Sequence, residues 1–158
     1  MAHSTCLGEK LRHHGLATDH VTVFFHTSPH DRGPAKSVAT TVDFPEASND
    51  TFVLVRAAKW GARRIWKSGY RYAKAGLMTV DIVPLEAPQR ALIGALDREK
   101  SGRLMEALDA CNARHGRGTV FSAAAGIARQ QKAWVTKFDK RSPRYITRLE
   151  EVPLVGRA

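Results

Sequence analysis

Acidic residues are in short supply here: 15 Asp and Glu stand against 25 Lys and Arg, a net charge of +10. The isoelectric point is near 10.1. An excess of this size serves a polyanionic partner, either nucleic acid or an anionic membrane surface. Cysteine is scarcer still, with Cys6 and Cys111 alone and far apart in the chain. That excludes a disulfide framework and suits free thiols in a reducing cytoplasm. No apolar run approaches the roughly 20 residues of a membrane helix, and the start "MAHSTCLGEKLRHH" has no apolar core of a signal peptide. The hydrophobic share of 43% is nonetheless ordinary, and 158 residues suffice for one domain or two small ones.

The usual marks of catalysis are also missing. Asp81 lies in an apolar, strand-like stretch, where a carboxylate could hold Mg²⁺, but metal-assisted phosphoryl transfer needs two or three converging carboxylates. Asp43, Glu46 and Glu86 show no strand-end pairing with it. His3, His13, His14, His20, His26 and His30 with Cys6 lack the paired spacing of a zinc site. Ser28, Ser122 and Ser142 lack a G-x-S-x-G setting, and no phosphate-binding glycine loop is present. No catalytic residue, metal or cofactor is expected.

The order of elements reads α-β-β-α-β. Residues 4–15 form a short helix with Leu7 and Leu11 on one side, 19–29 a strand, and 37–45 a second strand ending at Pro45. Asn49, Asp50 and Thr51 offer N-cap chemistry to an amphipathic helix over 51–67, with Leu54, Ala58, Gly61 and Ile65 at helical spacing. The stretch "GYRYAKAGLMTVDIVP" (69–84) follows as a strand. Its alternation places Tyr70, Tyr72, Met78, Val80 and Ile82 against that helix and turns Arg71 outward. Lys74 breaks the alternation, and with Gly76 nearby this predicts a local bulge. Residues 84–97 read as a linker, and 97–118 as a helix with Leu104, Leu108 and Cys111 as its apolar stripe, making Cys111 an inert core thiol. The pieces 118–126 and 132–138 look strand-like. The fold class is α+β: a mostly antiparallel sheet with helices on one face, then a small α+β domain.

Two groups of cations carry the strongest functional signal. Arg63, Arg64, Lys67, Arg71 and Lys74 span a helix end and the next strand. Lys132, Lys137, Lys140, Arg141, Arg144 and Arg148 interleave with Trp134, Phe138 and Tyr145. Such groups neutralise phosphates and release counterions, and aromatics among them can stack on bases. A merely solvated charged face is the plainer alternative.

Several strings resemble one family. "EKLRHHG", "VTVFFHTSPH", "NDTFVLVRAA" and "IWKSGYRYAKAGLMTVDIVP" are similar, in order, to the little-finger domain of UmuC-like Y-family translesion DNA polymerases. The tail, from "LMEALDACNARHGRG" to "SPRYITRLEEVP", resembles the domain of unknown function at the UmuC C-terminus. That family's pattern has isoleucine at position 111, threonine at 146 and tryptophan near 149, where this chain has Cys111, Ile146 and Leu149.

The resemblance implies a truncated little finger over 1–86, a linker over 87–96 and the C-terminal domain over 97–158. It implies a chain that begins inside the little finger's first helix, without the first strand, palm, fingers or thumb, and so without a polymerase active site. It further implies non-sequence-specific binding of primer-template DNA in the SOS response to DNA damage. Thr27, Ser28, Arg63, Arg64, Lys67, Arg71 and Lys74 would meet phosphates, and Gly76 would allow a close backbone approach. "QRALI" stands where the family carries a clamp-binding peptide, so Gln89, Leu92 and Ile93 would dock the sliding clamp. Trp134, Ser142, Pro143, Arg144 and Tyr145 carry the tail motif. Further partners implied are a recombinase filament and a UmuD-type subunit, with no membrane. A second reading stays open, in which the chain is a protein-interaction module for clamp, filament or partner subunit and DNA contact is incidental.

Overall fold

A computed structural model describes residues 2–30, 33–86 and 97–126, with Arg144, Arg148 and Glu150 beyond them. Helix α1 (Ala2–His13) leads into strand β1 (Leu16–Thr27), which hairpins to β2 (Ser37–Ser48). Helix α2 (Thr51–Ile65) returns across the sheet to β3 (Tyr72–Met78) and the short β4 (Val83–Pro84). Helix α3 (Arg98–His115) and a single 3-10 turn (Ala123–Ala125) follow. The sheet is antiparallel in the order β2-β1-β3, with β4 paired to the start of β1. This is the expected α+β sheet carrying helices on one face. The described elements through residue 126 fall in a compact unit that ends at Ile127, and a second unit runs from Ala128 to Ala158.

Alternation builds the core. Val21 and Val23 of β1 are buried, while Val42 and Phe44 of β2 and Leu77 of β3 are partly buried on the same side. Leu7 and Leu11 of α1, one turn apart, close over them with Leu54 and Ala57 of α2. Gly61 lets α2 lie close to the sheet. A Cβ there would sit 2.8 Å from a methyl of Val23 and 3.1 Å from one of Val42.

Asp50 caps α2 by accepting the Phe52 backbone N–H at 2.6 Å, as the sequence predicts, and its second oxygen accepts from Ser101 of α3. Asp50→Ala is therefore expected to destabilise the fold by about 1–2 kcal/mol. Urea unfolding should show a lower midpoint with an unchanged slope.

Four details depart from the sequence reading. The second strand does not end at Pro45: between the pairs His20–Asp43 and Thr18–Ser48 it bulges, and it resumes with buried Ala47 and Ser48. Pro45, which has no N–H to offer a ladder, sits in that irregularity. In α3 the buried residues are Met105 and Leu108, whereas Leu104 is 51% exposed and Cys111 is also exposed. Polar anchors set the rotation of α3: Arg98 to Glu46, Ser101 to Asp50 and Asp109 to Arg12. Cys111 is thus not a core thiol. Residues 118–126 form turns and the 3-10 helix rather than a strand, and 132–138 lie outside the described residues.

The fourth departure reverses a face. Thr27 pairs with Tyr72 and His26 with Lys74, so Ala73 is an extra residue on β3. That bulge shifts the alternation by one. Tyr72 keeps its expected place beside Phe25 and Trp66, but beyond the bulge Leu77 takes the inner side and Met78 is 53% exposed. Val80 and Ile82 are exposed as well. The predicted long strand stops at Met78, and Asp81 adopts a left-handed backbone (φ 53°) in the bend before β4.

Candidate nucleic-acid interface

With the helices on one side, the sheet's other face is open among the described residues. Register pairs Ser37 with His26, Ala39 with Phe24 and Thr41 with Thr22 across β2 and β1. On the far side β3 contributes Lys74 opposite His26, Gly76 opposite Phe24 and Met78 opposite Thr22. Hydroxyls and imidazole link the rows: Thr22 and Thr41 at 2.8 Å, Ser37 Oγ and His26 Nδ1 at 2.7 Å. The face carries short hydrogen-bonding side chains beside the Phe24 ring and exposed Met78, with Lys74 as a cation and Asp43 near one end.

The structure distributes the predicted phosphate contacts over different surfaces. Lys74 stands on the open face through the Ala73 bulge. Arg63 and Arg64 lie in the last turn of α2, the helix that covers the opposite face, and exposed Lys67 follows that helix. Arg71 is exposed just before β3. Thr27 Oγ1 accepts the Lys36 N–H at 2.8 Å and Ser28 Oγ accepts the His30 N–H at 3.2 Å, so both hydroxyls shape the hairpin end.

Gly76 has a different explanation from the expected close approach of a ligand. A Cβ there would lie 2.4 Å from the Phe24 ring, which covers the glycine from the neighbouring strand. The bulge itself falls at Ala73 rather than at Gly76. Gln89, Leu92, Ile93, Trp134, Ser142, Pro143 and Tyr145 lie outside the described residues; Arg144 lies within them, its carbonyl accepting the Arg148 N–H at 2.8 Å.

Sequence reasoning missed the aromatic cluster at one end of the sheet. Trp66 packs edge-on to Phe25 at 5.8 Å and tilted on Tyr72 at 5.1 Å, and Tyr70 continues the row at 6.2 Å from Tyr72. Lys36 sits 4.6 Å over the Tyr70 ring. The signal was present in "IWKSGYRY", but only the fold brings Phe25 and Lys36 to it.

Charged side chains are also gathered where α3 meets the earlier helices, around a cleft of about 730 Å³. Arg12 forks onto Asp109 at 2.6 and 2.8 Å, and Arg117 reaches Glu9 at 2.6 Å. The hydrogen bond and charge of Glu9 raise the Arg117 pKa above its ordinary value. Nearby, Glu46 is buried against Arg98, with its second oxygen and one Arg98 nitrogen unpartnered. Among the described residues no three His, Cys, Asp or Glu side chains gather as metal ligands, and no helix is long and apolar enough to cross a membrane.

Comparison with known proteins matches two stretches of the chain. The impB/mucB/samB family C-terminal domain matches residues 1–92, and a domain of unknown function (DUF4113) matches residues 102–155. Protein SamB of Salmonella typhimurium is 35% identical over 153 residues, covering 96% of this chain and 35% of that protein. Protein UmuC of the same species (strain LT2) is 34% identical over 148 residues, 91% of this chain and 34% of UmuC. Protein MucB of Escherichia coli is 31% identical over 147 residues, 92% of this chain and 34% of MucB. The chain thus spans about a third of the length of the curated relatives it matches. With more than half of its residues inside the first of these domains, the chain belongs to the impB/mucB/samB family and corresponds to the C-terminal region of a UmuC-like Y-family polymerase.

Proposed function

We propose that this chain is the DNA-gripping part of a UmuC-like translesion polymerase of the SOS response. In this reading it holds primer-template duplex without reading sequence and contains no phosphoryl-transfer site of its own. One observation carries it: the open sheet face presents a row of hydroxyls and is joined by Lys74 through the Ala73 bulge. Short hydroxyls and a lysine suit phosphate oxygens, whereas base edges call for long forked side chains. Arg71 extends the contact beyond the strand. Gln89, Leu92 and Ile93 would tether the grip to the sliding clamp, and the tail would serve a UmuD-type subunit or recombinase filament.

The test is a fluorescence titration of primer-template DNA at several salt concentrations. Binding should weaken steeply with salt and differ little between sequences. Arg71→Ala with Lys74→Ala should lower the logarithmic salt slope by about 1 for each phosphate contact removed, uniformly across sequences. Salt-independent binding, or an unchanged slope in the double variant, would remove the reading.

A further inference from the structure

The open face is far less cationic than a chain of net charge +10 leads one to expect. The charge lies on the other layer. From residue 51 to residue 80 there are seven Lys and Arg and no Asp or Glu, and four of the seven belong to α2. Phe52, Arg56, Trp60 and Arg64 follow one another at i, i+4, so they form an exposed stripe with steps of about 6 Å along the helix. Trp60 is 51% exposed, with the Arg64 guanidinium 5.2 Å from its ring centre. Trp66, 57% exposed, stands just beyond the end of α2 and packs on Tyr72, with Tyr70 next in that aromatic row.

A solvated helix face accounts for part of this. Arg63 and Arg64 complement the negative end of the helix dipole. That argument does not reach Arg56 or Lys59, nearer the middle of α2. Nor does it account for large aromatic side chains left in water among them. Alternating rings and cations, with no acid for thirty residues, match a ligand that has regularly spaced negative charge and flat apolar faces of its own. Duplex DNA hides its base faces, and an acidic peptide offers few rings to stack.

We infer that the outer face of α2, from Arg56 through Trp60 and Arg64 to Trp66, is a path for single-stranded nucleic acid, separate from the duplex grip on the sheet. Bases would stack on Trp60 and Trp66 while Arg56 and Arg64 meet the backbone. The proposal rests in part on the reading that the chain works on DNA, and it adds a second surface on the opposite layer.

The experiment uses the whole 158-residue chain with labelled oligothymidylate and, separately, a blunt duplex. Trp60→Ala should weaken oligothymidylate binding about tenfold and leave duplex binding within about twofold. Trp60→Phe should recover most of the loss, because a stackable ring returns. Arg64→Gln should weaken the same ligand and flatten its salt dependence. Lys74→Ala should show the opposite preference. Far-UV circular dichroism confirms that each variant is folded, which the exposure of Trp60 makes the expected result. Equal losses for both DNA forms, or no loss for Trp60→Ala, overturn the proposal. So does polyglutamate competing as well as the oligonucleotide, because the stripe would then answer to charge alone. Absent duplex binding with intact, Trp60-dependent oligothymidylate binding would remove the sheet reading and leave this one standing.

Discussion

Replacing Arg12 by Ala should destabilise the protein by about 2–3 kcal/mol and free α3 before the rest of the fold opens. The Arg12 side chain is only 10% exposed. It donates twice to Asp109, at 2.6 and 2.8 Å, once to the Asn49 carbonyl at 2.8 Å and once to Thr51 Oγ1 at 2.9 Å. One guanidinium thus joins α1, the start of α2 and α3. Its removal leaves Asp109 without its cation and the Asn49 carbonyl without this donor. Asp109 keeps partial access to water, which puts the loss at or below the low end for a broken buried pair. Arg12→Lys should recover only part, because one ammonium cannot span both carboxylate oxygens and the carbonyl. Urea denaturation gives the total, and hydrogen exchange in α3 gives the local share: amides of α3 should lose protection first. Unchanged α3 protection in Arg12→Ala would show that Arg98 and Ser101 suffice to hold the helix.

A comparable loss, about 3 kcal/mol, is expected for Leu54→Ala, and for a different reason. Leu54 is fully buried and packs with Leu11, Val21 and Ala57 where both helices meet the sheet. Helix α1 comes so close that a Cβ on Gly8 would lie 3.3 Å from Leu54 Cδ1. Backbones this near have little room to collapse into the space left by a truncated side chain, so the cavity term should persist. Leu54→Met, which keeps the volume, should cost under about 1.5 kcal/mol. The two substitutions separate lost volume from lost shape, and a denaturation midpoint for Leu54→Ala close to that of Leu54→Met would count against the packing account. Against a total stability of about 5–15 kcal/mol, the alanine variant should be visibly unfolded at modest urea concentrations.

The order of elements could be read from the chain because local chemistry announces it. Alternating Val21, Val23 and Phe25 mark a strand, Leu7 and Leu11 a helix face, and Asp50 a helix start, and all three keep those roles in the fold. What escaped the sequence depends on partners distant in the chain. A bulge beside Lys74 was legible in the broken alternation, but its place at Ala73 is the residue that β1 leaves unmatched, and it turns Met78 out and Leu77 in. Nothing within 69–84 records which residue β1 will skip. The rotation of α3 is likewise set by Glu46, Asp50 and Arg12 on earlier elements, so an apolar stripe read from α3 alone settled on Leu104 and Cys111. The candidate interface was half legible: its cations were in view, but their separation onto two layers follows from which face α2 covers.

The bridges from α3 to the earlier helices bear on how such proteins are inherited. Similarity to relatives divides the chain between residues 92 and 102, whereas Arg12, Glu46 and Asp50 complete their bonding with Asp109, Arg98 and Ser101 across that gap. A recombination event joining two parent genes there would pair a buried Glu46 carboxylate with whatever residue the other parent carries opposite it. Offspring of such a cross would keep both halves and lose the match between them. The two stretches are therefore expected to pass between genomes as a single lineage, even though sequence comparison gives them separate names.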